Sequence, residues 1–173
     1  MIFAQTQNSL QPHNGKVQSI VEYGENFYTA GDDGFVIKWL PDGTGEHFQI
    51  SDLEIKLVAV SPNGTDIAVY ETDGGLINRV GVWNWETLTR KFARRFSDSV
   101  TSISYTANGN YIMVGTATVD GVVFLRSSNG DVVSNKIRES TGIVSYAITS
   151  KTEKTAVMYS PAGSLAYYNL FTG

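Results

Sequence analysis

Residues 13–39 read HNGKVQSIVEYGENFYTAGDDGFVIKW. Three short apolar runs lie in this stretch, at residues 17–23, 27–30 and 35–39. They are separated by Gly24-Glu25-Asn26 and by Asp32-Asp33-Gly34. Runs of about 4–8 β-branched and aromatic residues bounded by Gly, Asn and Asp are strand signals. An Asp-Gly step suits a tight hairpin, because glycine accepts a positive φ and aspartate tolerates it. The stretch therefore predicts three antiparallel strands in succession.

The same pattern recurs three more times. First runs begin at Val17, Leu57, Val100 and Val144. Third runs end at Trp39, Trp83, Leu125 and Tyr168, which are 44, 42 and 43 residues apart. The turns after the later first runs are Ser61-Pro62-Asn63-Gly64, Thr106-Ala107-Asn108-Gly109 and Ser150-Lys151-Thr152-Glu153. Pro-Asn-Gly is strong turn chemistry, with proline setting φ early and glycine supplying a positive φ later. Second turns vary more. Repeat two predicts a long excursion from Thr72-Asp73-Gly74-Gly75 through Asn78-Arg79, and repeats three and four have Val119-Asp120-Gly121 and Pro161-Ala162-Gly163. A more polar outer strand follows at 46–50, 87–96 and 131–137. Segment 87–96 also reads as a short helix, and the repeat favours the strand. The four units run over residues 13–50, 51–96, 97–137 and 138–173. The fourth lacks an outer strand, and residues 1–8 are a candidate to supply it.

Composition narrows the class. The chain has 173 residues with 42% hydrophobic and 17% charged, which suits a folded domain with a sizeable core. Seventeen glycines against four prolines suit many turns. A net charge of -4 argues against a phosphate-backbone partner, so nucleic acid is not expected. The absence of cysteine removes disulfides, thiolate chemistry and cysteine-based zinc sites. No run reaches the roughly 18 apolar residues of a membrane helix. Residues 1–5 are too short for a signal peptide and read as a short edge strand. The alternative, the scar of a cleaved signal, leaves both a cytoplasmic and an exported placement open.

The first repeat places a His before the first strand, a Thr in the second, an Asp in the hairpin turn and a Trp ending the third. In that order it resembles a repeat of the WD-repeat β-propeller family. The resemblance implies an all-β propeller of four-stranded antiparallel blades, about four of them present, and covers nearly the whole chain. It also implies that His13, Thr29, Asp33 and Trp39 form a hydrogen-bonded tetrad tying one blade together. The later repeats depart from the pattern: Asn84 follows Trp83 where the family favours Asp, and Leu125 and Tyr168 replace Trp. Rings of that family usually hold more than four blades, so a half-propeller fragment and a unit that pairs with its own copy are both expected possibilities.

Other chemistry fits these residues less well. A His-Asp-Thr set also suits a base, its orienter and a nucleophile, but the blade spacing favours the tetrad. Asp32-Asp33-Gly34 and Thr72-Asp73-Gly74-Gly75 lack the twelve-residue ligand spacing of a calcium loop. His13 and His47 are the only histidines, too few for a convergent metal site. Nucleophile-elbow and phosphate-loop motifs are absent. Arg90, Lys91, Arg94 and Arg95 form the one basic cluster, interleaved with Phe92 and Phe96. Strict alternation predicts Arg90, Phe92, Arg94 and Phe96 on one face and Lys91, Ala93 and Arg95 on the other. Arg90, Arg94, Arg95 and Trp85 are the candidate partner contacts. The expectation is a non-enzymatic protein–protein interaction scaffold of WD-repeat type with no cofactor. Its partner is a protein, with a homodimer or missing C-terminal blades as further possibilities. The alternatives are a catalytic or quinoprotein-like propeller and a glycan-binding one.

Overall fold

The computed structural model describes residues 12–117, 121–134, 146–159, 163 and 165–169. Fifteen strands fill these residues, arranged as four antiparallel sheets taken in chain order. Sheet 1 holds β1 (Val17–Tyr23), β2 (Asn26–Gly31), β3 (Phe35–Trp39) and β4 (Gly45–Gln49). Sheet 2 holds β5 (Glu54–Val60), β6 (Asp66–Thr72), β7 (Asn78–Asn84) and β8 (Thr89–Arg95). Sheet 3 holds β9 (Val100–Tyr105), β10 (Tyr111–Thr116), β11 (Val122–Arg126) and β12 (Val132–Ser134). Sheet 4 holds β13 (Tyr146–Thr149), β14 (Thr155–Tyr159) and β15 (Leu165–Asn169). Every strand pairs with its chain neighbour within its sheet, the meander that short turns impose.

The registers superimpose. Trp39 lies opposite Phe27, Trp83 opposite Ile67, Leu125 opposite Ile112 and Tyr168 opposite Ala156. A register shift recurs near the start of the first strand in sheets 1, 2 and 3, between Val17 and Ser19, Ile55 and Leu57, and opposite Gly115 and Thr116. A bulge of this kind bends a strand and increases its twist.

Alternation along each strand then gives every sheet two apolar faces, and the sheets stack through them. Tyr28, Ala30 and Val36 of sheet 1 pack on Ile55, Val58, Ile67 and Val69 of sheet 2. Ala68, Tyr70, Val80 and Val82 of sheet 2 pack on Ile103, Ile112, Val114 and Leu125 of sheet 3. Met113, Val122 and Phe124 of sheet 3 pack on Ala147, Ala156 and Met158 of sheet 4. Strand β6, sandwiched on both sides, is buried at all seven positions.

Segment 87–96 is a strand over Thr89–Arg95, as the repeat favours. One sequence expectation changes. The long excursion of repeat two is a compact loop, because Asn78 and Arg79 are already paired with Thr72 and Glu71. Inside it the Asp73 carboxylate accepts the Gly75 and Ile77 N–H groups at 2.9 and 2.8 Å. The first strand of sheet 4 is described from Tyr146, and its expected start at Val144 lies outside the described residues. The proposed outer strand at 1–8, the turns at Val119-Asp120 and Pro161-Ala162, and residues 135–137 of the third outer strand lie outside the described residues.

Candidate functional site

The set singled out by sequence meets in space on sheet 1, on the face turned away from sheet 2. His13 precedes β1, Thr29 lies in β2, Asp33 in the β2–β3 turn and Trp39 ends β3. His13 Nδ1 lies 2.9 and 3.1 Å from the two Asp33 carboxylate oxygens, and His13 Nε2 lies 2.8 Å from Thr29 Oγ1. The Trp39 indole N–H donates to the same Thr29 oxygen at 2.9 Å. One proton arrangement satisfies all four groups: His13 Nδ1–H donates to Asp33, the Thr29 hydroxyl donates to His13 Nε2, and Trp39 donates to Thr29. The backbone fixes Asp33 as well, through the Asn14 N–H at 2.8 Å and the Phe35 N–H at 3.2 Å. Burial alone would raise the Asp33 carboxyl. The hydrogen bonds from His13, Phe35 and Asn14 outweigh it and hold the group below its ordinary value.

Glycine makes the approach possible. A Cβ at Gly31 would stand 2.7 Å from His13 Nδ1 and 2.9 Å from an Asp33 carboxylate oxygen. Gly34 turns the hairpin with φ of 78°.

The His13–Asp33–Thr29 geometry is that of a base, orienter and nucleophile, yet its oxygen is engaged. Thr29 Oγ1 gives its proton to His13 and accepts one from Trp39, Thr29 is buried, and the His13 side chain is 2% exposed. The group that would attack is thus shielded on both sides.

Sheet 2 fills the same place differently. Trp83 takes the register of Trp39, but Val69 stands where Thr29 stood. Glu71, fully buried, instead receives a two-pronged contact from Arg79 directly across the strand pair, Nη2 to Oε2 at 2.5 Å and Nε to Oε1 at 3.3 Å. Sequence reading missed this pair, because Glu71 and Arg79 face each other only once the hairpin register is known.

The basic strand β8 is exposed at six of its seven residues. A register shift between Val82 and Trp83 overturns the expected alternation. Arg90 lies over the Trp83 ring, 5.6 Å from its centroid, while Phe92 packs into the core between sheets 2 and 3. Arg94 reaches the Gly130 carbonyl at 3.5 Å, Lys91 pairs with Asp66 at 2.7 Å, and Arg95 stands opposite Arg79. Trp85 is not available to a partner. It is buried edge-on against Tyr28 and Phe48, and its N–H reaches Glu46 at 3.3 Å. It therefore locks sheet 2 under sheet 1.

A family model, TP_0598_N, described as an N-terminal beta-propeller domain, matches residues 4–173. The chain belongs to this family. Its four stacked sheets are propeller blades. An uncharacterized protein of Treponema pallidum (strain Nichols) is 38% identical over 154 residues, which is 88% of this chain and 25% of that protein. The chain thus spans about a quarter of that relative's length. Two solved structures share the fold. The computationally designed Ika4 protein matches with a TM-score of 0.71 and 14% identity, over 93% of this chain and 95% of that one. A chain of the Mitotic Checkpoint Complex matches with a TM-score of 0.73 and 18% identity, over 93% of this chain and 51% of that one.

Polar ties also join neighbouring blades. Glu153, between β13 and β14, accepts the Asn108 N–H at 2.8 Å and the Asn110 side-chain N–H at 2.8 Å from blade 3. Burial pushes its carboxyl up, and the hydrogen bonds from Thr106, Asn110 and Asn108 more than reverse that push. His47 packs edge-on against Phe35 and Trp39. No cluster of three or more metal-ligating side chains occurs among the described residues.

Proposed function

We propose that this propeller is a non-enzymatic protein–protein interaction scaffold of WD-repeat type. The observation that carries the reading is β8, an edge strand that holds Arg90, Arg94 and Arg95 exposed on a rigid, packed blade. Two of the three arginines are held by local contacts, Arg90 over Trp83 and Arg94 at Gly130, so part of their ordering precedes binding. Arginine forks pair well with carboxylates. An acidic segment of a partner protein is the surface they suit. The engagement of Thr29, His13 and Asp33 in one closed hydrogen-bond chain supports a structural rather than a catalytic role for that set.

The test compares the wild-type chain with a variant carrying Arg90→Glu, Arg94→Glu and Arg95→Glu, both immobilised and exposed to the same soluble proteome. Proteins retained by the wild type and released from the variant support the reading. An identical retained set on both contradicts it.

A further inference from the structure

We infer that the two end faces of the blade stack join head to tail with a second copy of this chain. The inference is independent of β8 and rests on the repeated register. Three residues per blade cover the preceding blade. In blade 2 they are Ile55, Val58 and Ile67, and in blade 3 Val100, Ile103 and Ile112, all buried. The matching residues of blade 1 are Val17, Ile20 and Phe27. They are 48%, 65% and 49% exposed.

The opposite end tells the same story. Val36, Val80 and Val122, each three residues before the end-of-strand marker, are fully buried under the following blade. The matching residue of blade 4 is Leu165, 72% exposed. Its neighbours on that face, Tyr159 and Tyr167, are exposed as well.

Among the described residues, blade 1 therefore carries a covering set that covers no described blade, and blade 4 carries a covered set that no described blade covers. Each is the half that the other lacks, in the register already used at the three joins inside the chain. A second copy supplies both halves at once. Blade 4 of each copy seats on blade 1 of the other, and two such joins close with two-fold symmetry, which ends the growth of a head-to-tail contact. Apolar faces of this kind, left open, would also be a liability for unspecific association.

The experiment measures mass in solution by light scattering on the purified chain and on two variants, Leu165→Asp and Ile20→Asp. Both positions are largely exposed in the single chain, so neither change disturbs its own core; a melting curve verifies this. The wild type is expected at twice the 18.9 kDa chain mass, and each variant alone at the single-chain mass. Mixing the two variants restores one sound join, blade 4 of Ile20→Asp on blade 1 of Leu165→Asp, and a two-chain mass returns. A monomeric wild type overturns the inference. So does an Ile20→Asp variant that stays dimeric, which would mean that blade 4 pairs with itself.

Discussion

At the scale of single residues, the hydrogen-bond chain through Trp39, Thr29, His13 and Asp33 is the best-defined polar feature. Truncating Asp33 leaves the His13 Nδ1–H and two backbone N–H groups without their acceptor. Asp33→Ala is expected to lower stability by about 1–3 kcal/mol, the range for unsatisfied partly buried donors, measured by urea denaturation. The carboxyl is held below its ordinary value of 3.8, so the native state favours its ionised form. That contribution is complete above the unfolded value and is lost as pH falls through the folded one. Melting temperature should drop on acidification below about pH 4, and Asp33→Asn should flatten that drop. An equally steep acid profile in the variant would assign it to other carboxylates, such as Glu153. These four residues were legible in the sequence because their order in the first repeat matches the pattern of the family it resembles. Glu71 and Arg79 were not, because nothing local marks two charges eight positions apart as a buried pair. Their meeting depends on a register that only the folded hairpin displays.

At the scale of elements, one turn departs from its siblings. Gly24, Gly64 and Gly109 hold positive φ in the turns of blades 1 to 3, and Glu153 holds φ of 54° in blade 4. A side chain in that region costs about 1–2 kcal/mol. The carboxylate offsets it by clamping Asn108 and Asn110 of blade 3. Glu153→Gly relieves the backbone but removes both clamps, and hydrogen bonds to a charged group contribute about 1.5–3 kcal/mol each. A net loss of about 1–5 kcal/mol is expected by denaturation; a gain would mean that backbone strain dominates. Turn residues showed where strands stop, and the strands themselves were readable from that punctuation. The face assignment along β8 was not, since one bulge opposite Val82 and Trp83 inverts the alternation and no residue type announces it. The polar pair Asn78-Arg79 resembled loop, although cross-strand partners make it strand.

At the scale of the molecule, the blade count followed from the 42- to 44-residue period, and the all-β propeller is the architecture found. Packing between blades was not legible. Trp85 follows a strand end and looked free to meet a partner, yet Tyr28 and Phe48 of another blade enclose it. A linear reading sees neighbours in sequence and misses those supplied across a stack. On the proposed function, structure and recognition are divided over this stack: blade 1 carries the closed hydrogen-bond chain, and blade 2 presents the arginines. The direct measurement is a crossed comparison of Asp33→Ala with the β8 triple glutamate variant, reading melting temperature and partner retention on each. The expected result is a lowered melting temperature with full retention for Asp33→Ala, and a folded protein with a smaller fall in melting temperature but lost retention for the β8 variant, which gives up the Arg90–Trp83 and Arg94–Gly130 contacts. Lost retention in a folded Asp33→Ala protein, with the β8 variant retaining its partners, would contradict that division and return His13, Thr29 and Asp33 to a functional role.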